Sequence, residues 1–414
     1  MNVYEILEVL SLLIILSYIL DLIAHKINFP SVLLLIGTGV IIKLVCNYFN
    51  FPIYDFSDII PVLGTIGLIL IVFEGALDLE ISKKKIRLTL WAFFAALGVL
   101  VITNLVLAML FQIVTIESFY KCLLNALPFS VISSAIAIPS VTKLAEESKE
   151  FIIFESSFSD ILGIVFFNFL ISTTTFEASS FVKLGADMLL LVFLAVVCSL
   201  ILAFVLSRLR HSVKFFLIIA ILIFVFATGK IFHLSTLLVI LVFGLMLKNL
   251  SKFNFGKFNK YFKYEGYKED FKNLHMVTYE STFLVKTFFF LIFGYIIDLN
   301  ELANWTVFKN GIMIFTGILF CRFLFLYVFS RKSIFPELFI SPRGLITILL
   351  YFMLPEELKL PEVNMALLMF VILSTNVTML IGIFAGSKAP IEEFDSVLIN
   401  ESFETSWDKE ETDV

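Results

Sequence analysis

Thirteen runs of mostly apolar residues dominate this chain: 3–24, 30–48, 58–79, 88–114, 119–141, 151–175, 182–207, 213–229, 234–248, 276–298, 306–330, 337–354 and 363–385. A helix that crosses a bilayer needs about 20 such residues, because it rises 1.5 Å per residue through a hydrocarbon layer of about 30 Å. The runs therefore predict an all-α polytopic membrane protein with thirteen transmembrane helices. Charged residues make up 16% of the 414, against about a quarter in soluble domains, and mean hydropathy is +1.01, which excludes the soluble reading. The first run carries Glu5, Glu8 and Asp21 and no basic stretch before it, so it reads as a span and not as a cleaved leader.

Little else competes with membrane function. The four cysteines stand singly in or beside apolar runs, with no Cys-x-x-Cys or Cys/His spacing, so neither a disulfide framework nor a zinc site is expected. No cofactor, nucleic-acid partner or enzymatic activity is expected. One long polar segment, 249–275, interrupts the runs and reads as a loop with an amphipathic helix on the membrane surface. Residues 386–414 form an acidic tail, and its last 26 positions hold nine acids against Lys409.

Basic residues collect on the cytoplasmic side of membrane proteins. With the N-terminus outside and the C-terminus inside, cytoplasmic segments hold 21 of the 30 Lys and Arg, outer segments hold six, and Lys286, Arg322 and Arg343 fall in spans. This bias supports the thirteen-span map in the cell (inner) membrane.

Weak internal similarity divides residues 1–385 into two halves. Ser31 to Lys43 and Ser235 to Lys248 both open on serine and close on Gly-x-x-x-Lys, at Gly39 and Gly244. Phe73-Glu-Gly-Ala-Leu-Asp78 in span 3 resembles Phe293-Gly-Tyr-Ile-Ile-Asp298 in span 10. Each pair is seven spans apart and so crosses in opposite directions. Inverted six-helix repeats of this kind place their substrate where discontinuous helices meet. The halves are about 1–175 and 213–385, linked by span 182–207. The same offset pairs spans 5 and 12, which both hold helix-breaking sequence: Ser133-Ser-Ala-Ile-Ala-Ile-Pro139 and Ser341-Pro-Arg-Gly344. Ordinary proline kinks are the bland alternative. Two crossed broken helices are the expectation.

A charge deep in a span costs about 2.5–3.5 kcal/mol on insertion scales, so it needs a partner or a task. Counting about 1.5 Å per residue places Asp160 and Arg322 about 13 Å from the cytoplasmic face. Glu155 lies about 6 Å deep, and Ser133, Ser134, Glu74 and Arg343 about 7–12 Å. Residues from five spans thus share one slab, whereas snorkelling residues would sit at the interfaces. Asp160 and Ser156 are four apart and share a helical face, while Glu155 lies about 140° away. Glu155 is the natural partner for Arg322, a cation that cannot be deprotonated. Asp160 has no committed cation, and a carboxylate held out of water can trade a proton for a cation. Its oxygens, with Ser156 and the carbonyls of span 5, suit a small hard cation. The bland readings are a structural acceptor for Asp160, snorkelling for Glu74 and Lys286, and interfacial positions for Asp21, Asp78 and Asp298.

At these residues the chain resembles the monovalent cation:proton antiporter superfamily, especially the branch of NhaP-type bacterial and eukaryotic Na+/H+ exchangers. The similarity rests on Phe73-Glu-Gly, Glu155-Ser-Ser-Phe-Ser-Asp160, Arg322 in Cys-Arg-Phe-Leu-Phe-Leu-Tyr, and Pro342-Arg-Gly-Leu. It spans most of residues 3–385. The resemblance implies the Na+/H+ antiporter fold, a homodimer and elevator-like alternating access. It also implies that Asp160 carries the ion and the proton, that Ser156 and Glu74 help coordinate, and that Glu155 and Arg322 form a structural ion pair. Arg343 supplies the charge of the broken helices. Two departures bear on the cation. Ser159 stands where the family has Asn before the aspartate. Ser133-Ser134-Ala135 stands where the branch has Thr-Asp-Pro, and is closer to the Ser-Ser-Thr of potassium efflux antiporters.

The expected function is exchange of Na+ (or Li+) for H+ across the membrane, with a monovalent cation at Asp160 and further contacts from Ser156, Ser159, Ser133, Ser134 and Glu74. One carboxylate carrying either H+ or a cation predicts electroneutral 1:1 exchange. A K+/H+ antiporter of the same fold is the nearest rival, and a cation channel a more distant one. An intramembrane aspartyl protease would need a second catalytic aspartate, and no Gly-x-Gly-Asp is present.

Overall fold

The computed structural model describes residues 3–27, 29–49, 59–78, 86–141, 144–172, 214–231, 236–249, 267–329 and 334–386, with isolated positions between 193 and 201. Among these, thirteen helices of seven residues or more follow one another and no strand occurs. They are α1 (Val3–Ile27), α2 (Ser31–Tyr48), α3 (Ile59–Asp78), α4 (Ile86–Thr115), α5 (Phe119–Ser130), α6 (Ser134–Ser140), α7 (Glu146–Ser172), α8 (Lys214–Ile231), α9 (Thr236–Asn249), α10 (Tyr267–Ile296), α11 (Trp305–Phe329), α12 (Leu345–Met353) and α13 (Met365–Gly386).

Twelve of the thirteen apolar runs coincide with these helices. The run 119–141 is split into α5 and α6. The run 337–354 is helical only from Leu345, after a turn over 335–339 and an extended stretch. The run 182–207 lies outside the described residues except for isolated positions, as does the tail beyond Gly386. In the polar segment 249–275, Tyr267 onward belongs to α10, and the positions between Asn249 and Tyr267 lie outside the described residues. Seven stretches are long and apolar enough to cross a bilayer by length and composition. The α5–α6 stretch is 89% buried inside the molecule, against 28% for α2. The broken helix is therefore interior, and its freed backbone groups must find partners in protein.

Helix neighbours repeat as the inverted halves require. α2 packs on α10 and α3 packs on α9. α1 lies on α2 as α8 lies on α9, and α4 lies on α7 as α11 lies on α13. α3 with α10, α4 with α11, and α5 with α12 each pair an element with its own counterpart.

The glycines singled out by the repeat sit at close helix contacts. A Cβ on Gly39 would overlap the Leu291 carbonyl, and one on Gly294 would overlap the Ile36 carbonyl. A Cβ on Gly244 would lie 2.6 Å from Ala76 Cβ and 3.2 Å from the Phe73 carbonyl. Small residues let helices in lipid approach backbone to backbone, which is where van der Waals packing gains most. Lys43 then reaches across the α2–α10 seam and donates to the carbonyls of Ile296 and Ile297 at 3.1 and 2.7 Å. A cation there satisfies the carbonyls left open where α10 ends.

Candidate ion site

The α5 helix stops at Ser130 because the chain turns extended at Val131, three residues after Pro128, whose nitrogen cannot donate. The extended residues Val131–Ser133 lead into α6. In the second half, the extended residues Ile340–Gly344 lead into α12. The two unwound stretches touch: the Ser133 N–H donates to the Pro342 carbonyl at 2.9 Å. Spans 5 and 12 thus cross at their breaks, inside the molecule.

Helix α7 supplies the side chains that meet the first break. Ser159 Oγ accepts the Ile132 N–H at 2.9 Å. Asp160 Oδ2 accepts the Ser134 N–H at 3.1 Å and also the Ser134 hydroxyl. Gly163, one turn further along, makes room for the break, since a Cβ there would run into the Val131 side chain. Asp160 is 3% exposed, and its other oxygen, Oδ1, is buried without a hydrogen-bond partner. Ser133 Oγ is likewise buried and unpartnered. Among the described residues, every group that hydrogen-bonds Asp160 is uncharged. Such a carboxylate, unsatisfied on one oxygen, has the lone pairs for a bare cation or for a proton.

The other buried acid of α7, Glu155, is committed. Glu155 Oε1 and Oε2 each accept from Arg322, at 2.9 Å from Nη1 and Nη2, and both side chains are fully buried. Arg322 Nε donates to the Glu337 carbonyl at 2.9 Å. This fork-to-fork geometry is the strong form of a buried pair. It leaves neither group free to move an ion.

Arg343 is also fully buried. Its Nε donates to the Phe129 carbonyl at 2.7 Å, in the last turn of α5, and its Nη1 donates to the Ser341 carbonyl at 2.7 Å. The C-terminal end of α5 carries partial negative charge and open carbonyls, and a guanidinium answers both.

Two predicted site residues lie differently. Ser156 is buried on the Asp160 face, but its hydroxyl donates to the Ile153 carbonyl of its own helix at 3.3 Å. Glu74 stands on α3, which packs along α10, the helix that carries Lys286, Thr282 and His275. Counting residues from the cytoplasmic face gave the depth of Glu74 but not the face of α3 on which it stands. Residues that sequence reasoning did not single out complete the crossing: Gly163, and Thr375 and Asn376 of α13, which hold the Arg343 backbone. The polar cluster Ser374-Thr-Asn-Val-Thr378 in an apolar run is the signal that could have marked the last two.

A family profile described as sodium/hydrogen exchanger, transmembrane, matches residues 11–388. The chain belongs to the sodium/hydrogen exchanger family. It is accordingly a multi-pass membrane transporter for cation/proton antiport and not an enzyme. A search of curated proteins found no significant match. Among solved structures, the exchanger is similar to the sodium proton antiporter MjNhaP1 from Methanocaldococcus jannaschii at pH 8. The two share 20% identity with a TM-score of 0.66, over 94% of this chain and 100% of that one. A second structure of MjNhaP1, an electron-microscopy map, matches at 20% identity and a TM-score of 0.63, over 94% and 96% of the chains. These likenesses establish that the exchanger has the Na+/H+ antiporter fold.

Proposed function

We propose that the exchanger trades Na+ (or Li+) for H+ one for one, with Asp160 as the shared carrier. One observation carries this reading. Of the two buried acids on α7, Glu155 is locked to Arg322, whereas among the described residues Asp160 meets only the neutral groups of Ser134 and keeps one oxygen open. A site with a single exchangeable carboxylate bears the same charge with a proton as with a monovalent cation. Both half-cycles then move the same net charge, and exchange is electroneutral.

The further ligands in this reading are the Ser133 and Ser134 hydroxyls, while Ser159 holds the break and Ser156 lies on the same face of α7. Glu74, on α3 beside α10, is the remaining contact that the resemblance implies. Serine hydroxyls in place of a second acid also favour K+ as an alternative substrate, as the Ser133-Ser134 sequence suggests. The basic-residue bias supports a cell (inner) membrane location with the N-terminus outside and the C-terminus in the cytoplasm. We further propose a homodimer, on the strength of the family resemblance.

Everted vesicles with a pH-sensitive dye test the reading. Addition of Na+, Li+ or K+ should release protons in wild type and not in Asp160→Asn. A cation-evoked signal that survives in Asp160→Asn would defeat the carrier assignment. A rate that follows an imposed membrane potential would defeat electroneutrality.

A further inference from the structure

The polar side chains that hold the second break follow the same plan as those that hold the first. Ile132 stands two residues before α6 begins at Ser134, and Arg343 stands two residues before α12 begins at Leu345. The Ile132 N–H donates to Ser159 Oγ at 2.9 Å, and the Arg343 N–H donates to Thr375 Oγ1 at 3.1 Å. The next residue on each supporting helix is then Asp160 on α7 and Asn376 on α13. Both contact the break backbone: Asp160 Oδ2 accepts the Ser134 N–H, and Asn376 Nδ2 donates to the Arg343 carbonyl at 2.9 Å. α7 and α13 are the last helices of their halves and occupy matching places beside α4 and α11.

We infer that Thr375 and Asn376 are the second half's counterparts of Ser159 and Asp160, and that they are positioning residues for ion exchange because they fix Arg343. This rests on the exchange reading above. Arg343 N–H and C=O belong to unwound backbone in the interior, where no water offers a partner and each must be satisfied by protein. Thr375 takes the first and Asn376 the second, so α13 grips both sides of one residue. The guanidinium of that residue holds the end of α5 beside the carrier.

The amide of Asn376 has a chemical reason to be an amide. Nδ2 also donates to the Ile372 carbonyl at 2.7 Å, so both of its hydrogens are used on carbonyls. An ionised carboxylate has no hydrogen to give and would set an oxygen against both. The geometry that lets the first half hold an exchangeable acid therefore forbids one in the second. Thr375 is compatible with its double role: its hydroxyl donates within α13 to the Val371 carbonyl at 2.8 Å and accepts the Arg343 N–H on its lone pair.

The test is Na+-evoked proton release by purified protein in liposomes, with KM and Vmax measured separately and normalised to inserted protein. Thr375→Val, which keeps shape and removes the acceptor, should raise the Na+ KM by about three- to tenfold. Thr375→Ser should restore the wild-type KM. Asn376→Asp should impair exchange more than Thr375→Val does. In an Arg343→Gln background Thr375→Val should add nothing, because the positioned charge is already gone. Loss of folded protein alone lowers Vmax and leaves KM in place, so a wild-type KM in Thr375→Val overturns the inference, as does an additive double variant. Thr375→Ala reads the same quantity if the valine variant does not reach the membrane. A wild type inert to Na+, Li+ and K+ overturns the exchange reading and this inference together. An active wild type with an unchanged Thr375→Val overturns this inference alone.

Discussion

Arg343 Nε donates to the carbonyl of Phe129 across 2.7 Å, joining the second half's unwound stretch to the last turn of the first half's broken helix. One fully buried cation thereby answers a helix end that stops inside the molecule. The fork matters as much as the charge, because Nη1 holds Ser341 in the same gesture. A lysine has the charge but not two donors set in a fixed plane. Arg343→Lys is expected to retain folded protein and lose at least about tenfold in transport rate, and Arg343→Gln to lose more. Rates per inserted molecule in liposomes, with insertion checked by size-exclusion profile, decide it. An Arg343→Lys variant at wild-type rate would show that charge alone suffices.

The Glu155–Arg322 pair predicts a stability effect. Removing one member leaves a buried charge without a partner, at about 3–5 kcal/mol. Glu155→Gln and Arg322→Met should each lower the thermal midpoint of the detergent-solubilised protein sharply. The double variant should recover much of the loss, since two neutral side chains leave no buried charge behind. Thermal unfolding followed by tryptophan or thiol-reactive fluorescence gives the comparison.

Ser134 offers Asp160 both its backbone N–H and its hydroxyl. Ser134→Ala removes only the second, so exchange should persist with the apparent cation affinity weakened by about three- to tenfold. A complete loss of exchange would mean that the hydroxyl, and not the carboxylate, dominates the site.

Gly39 and Gly37 lie on one helix and differ in surroundings. A Cβ on Gly37 meets nothing within 4 Å, whereas one on Gly39 meets the backbone of α10. Gly37→Ala should leave expression and thermal stability within experimental error of wild type. Gly39→Ala should destabilise by at least about 1–3 kcal/mol, the range for overpacking a tight contact. Equal behaviour of the two variants would contradict the close α2–α10 approach.

Much of this arrangement is legible in the sequence, and the reasons differ by residue. Helical runs are fixed by length and apolarity. The breaks announce themselves through Pro139, Pro342 and Gly344, residues that a continuous helix tolerates badly. Glu155 and Asp160 separate by helical phase alone. What phase cannot supply is the path of a chain after it leaves the helix. The unwound stretch brings Ser134 and Ser159 into contact with the carrier region, while Ser156, on the right face, turns its hydroxyl to its own backbone. Depth counting is blind to rotation about a helix axis, so it sets Glu74 level with Asp160 without revealing that α10 is its neighbour. Thr375 and Asn376 escape notice because neutral polar residues cost far less in a span than charges do, and so carry little signal. Their partner atoms are backbone groups, which a sequence does not display at all.

The seam where Gly39 and Gly294 face each other's main chain has one more consequence, for permeability. A side chain at either glycine would overlap the facing main chain, so the two backbones meet directly at that level. A proton gradient across a membrane drains through any gap between helices that admits water. A joint closed backbone to backbone leaves the least room for such a gap, and two residues without side chains give this seam the form of a gasket between the inverted halves.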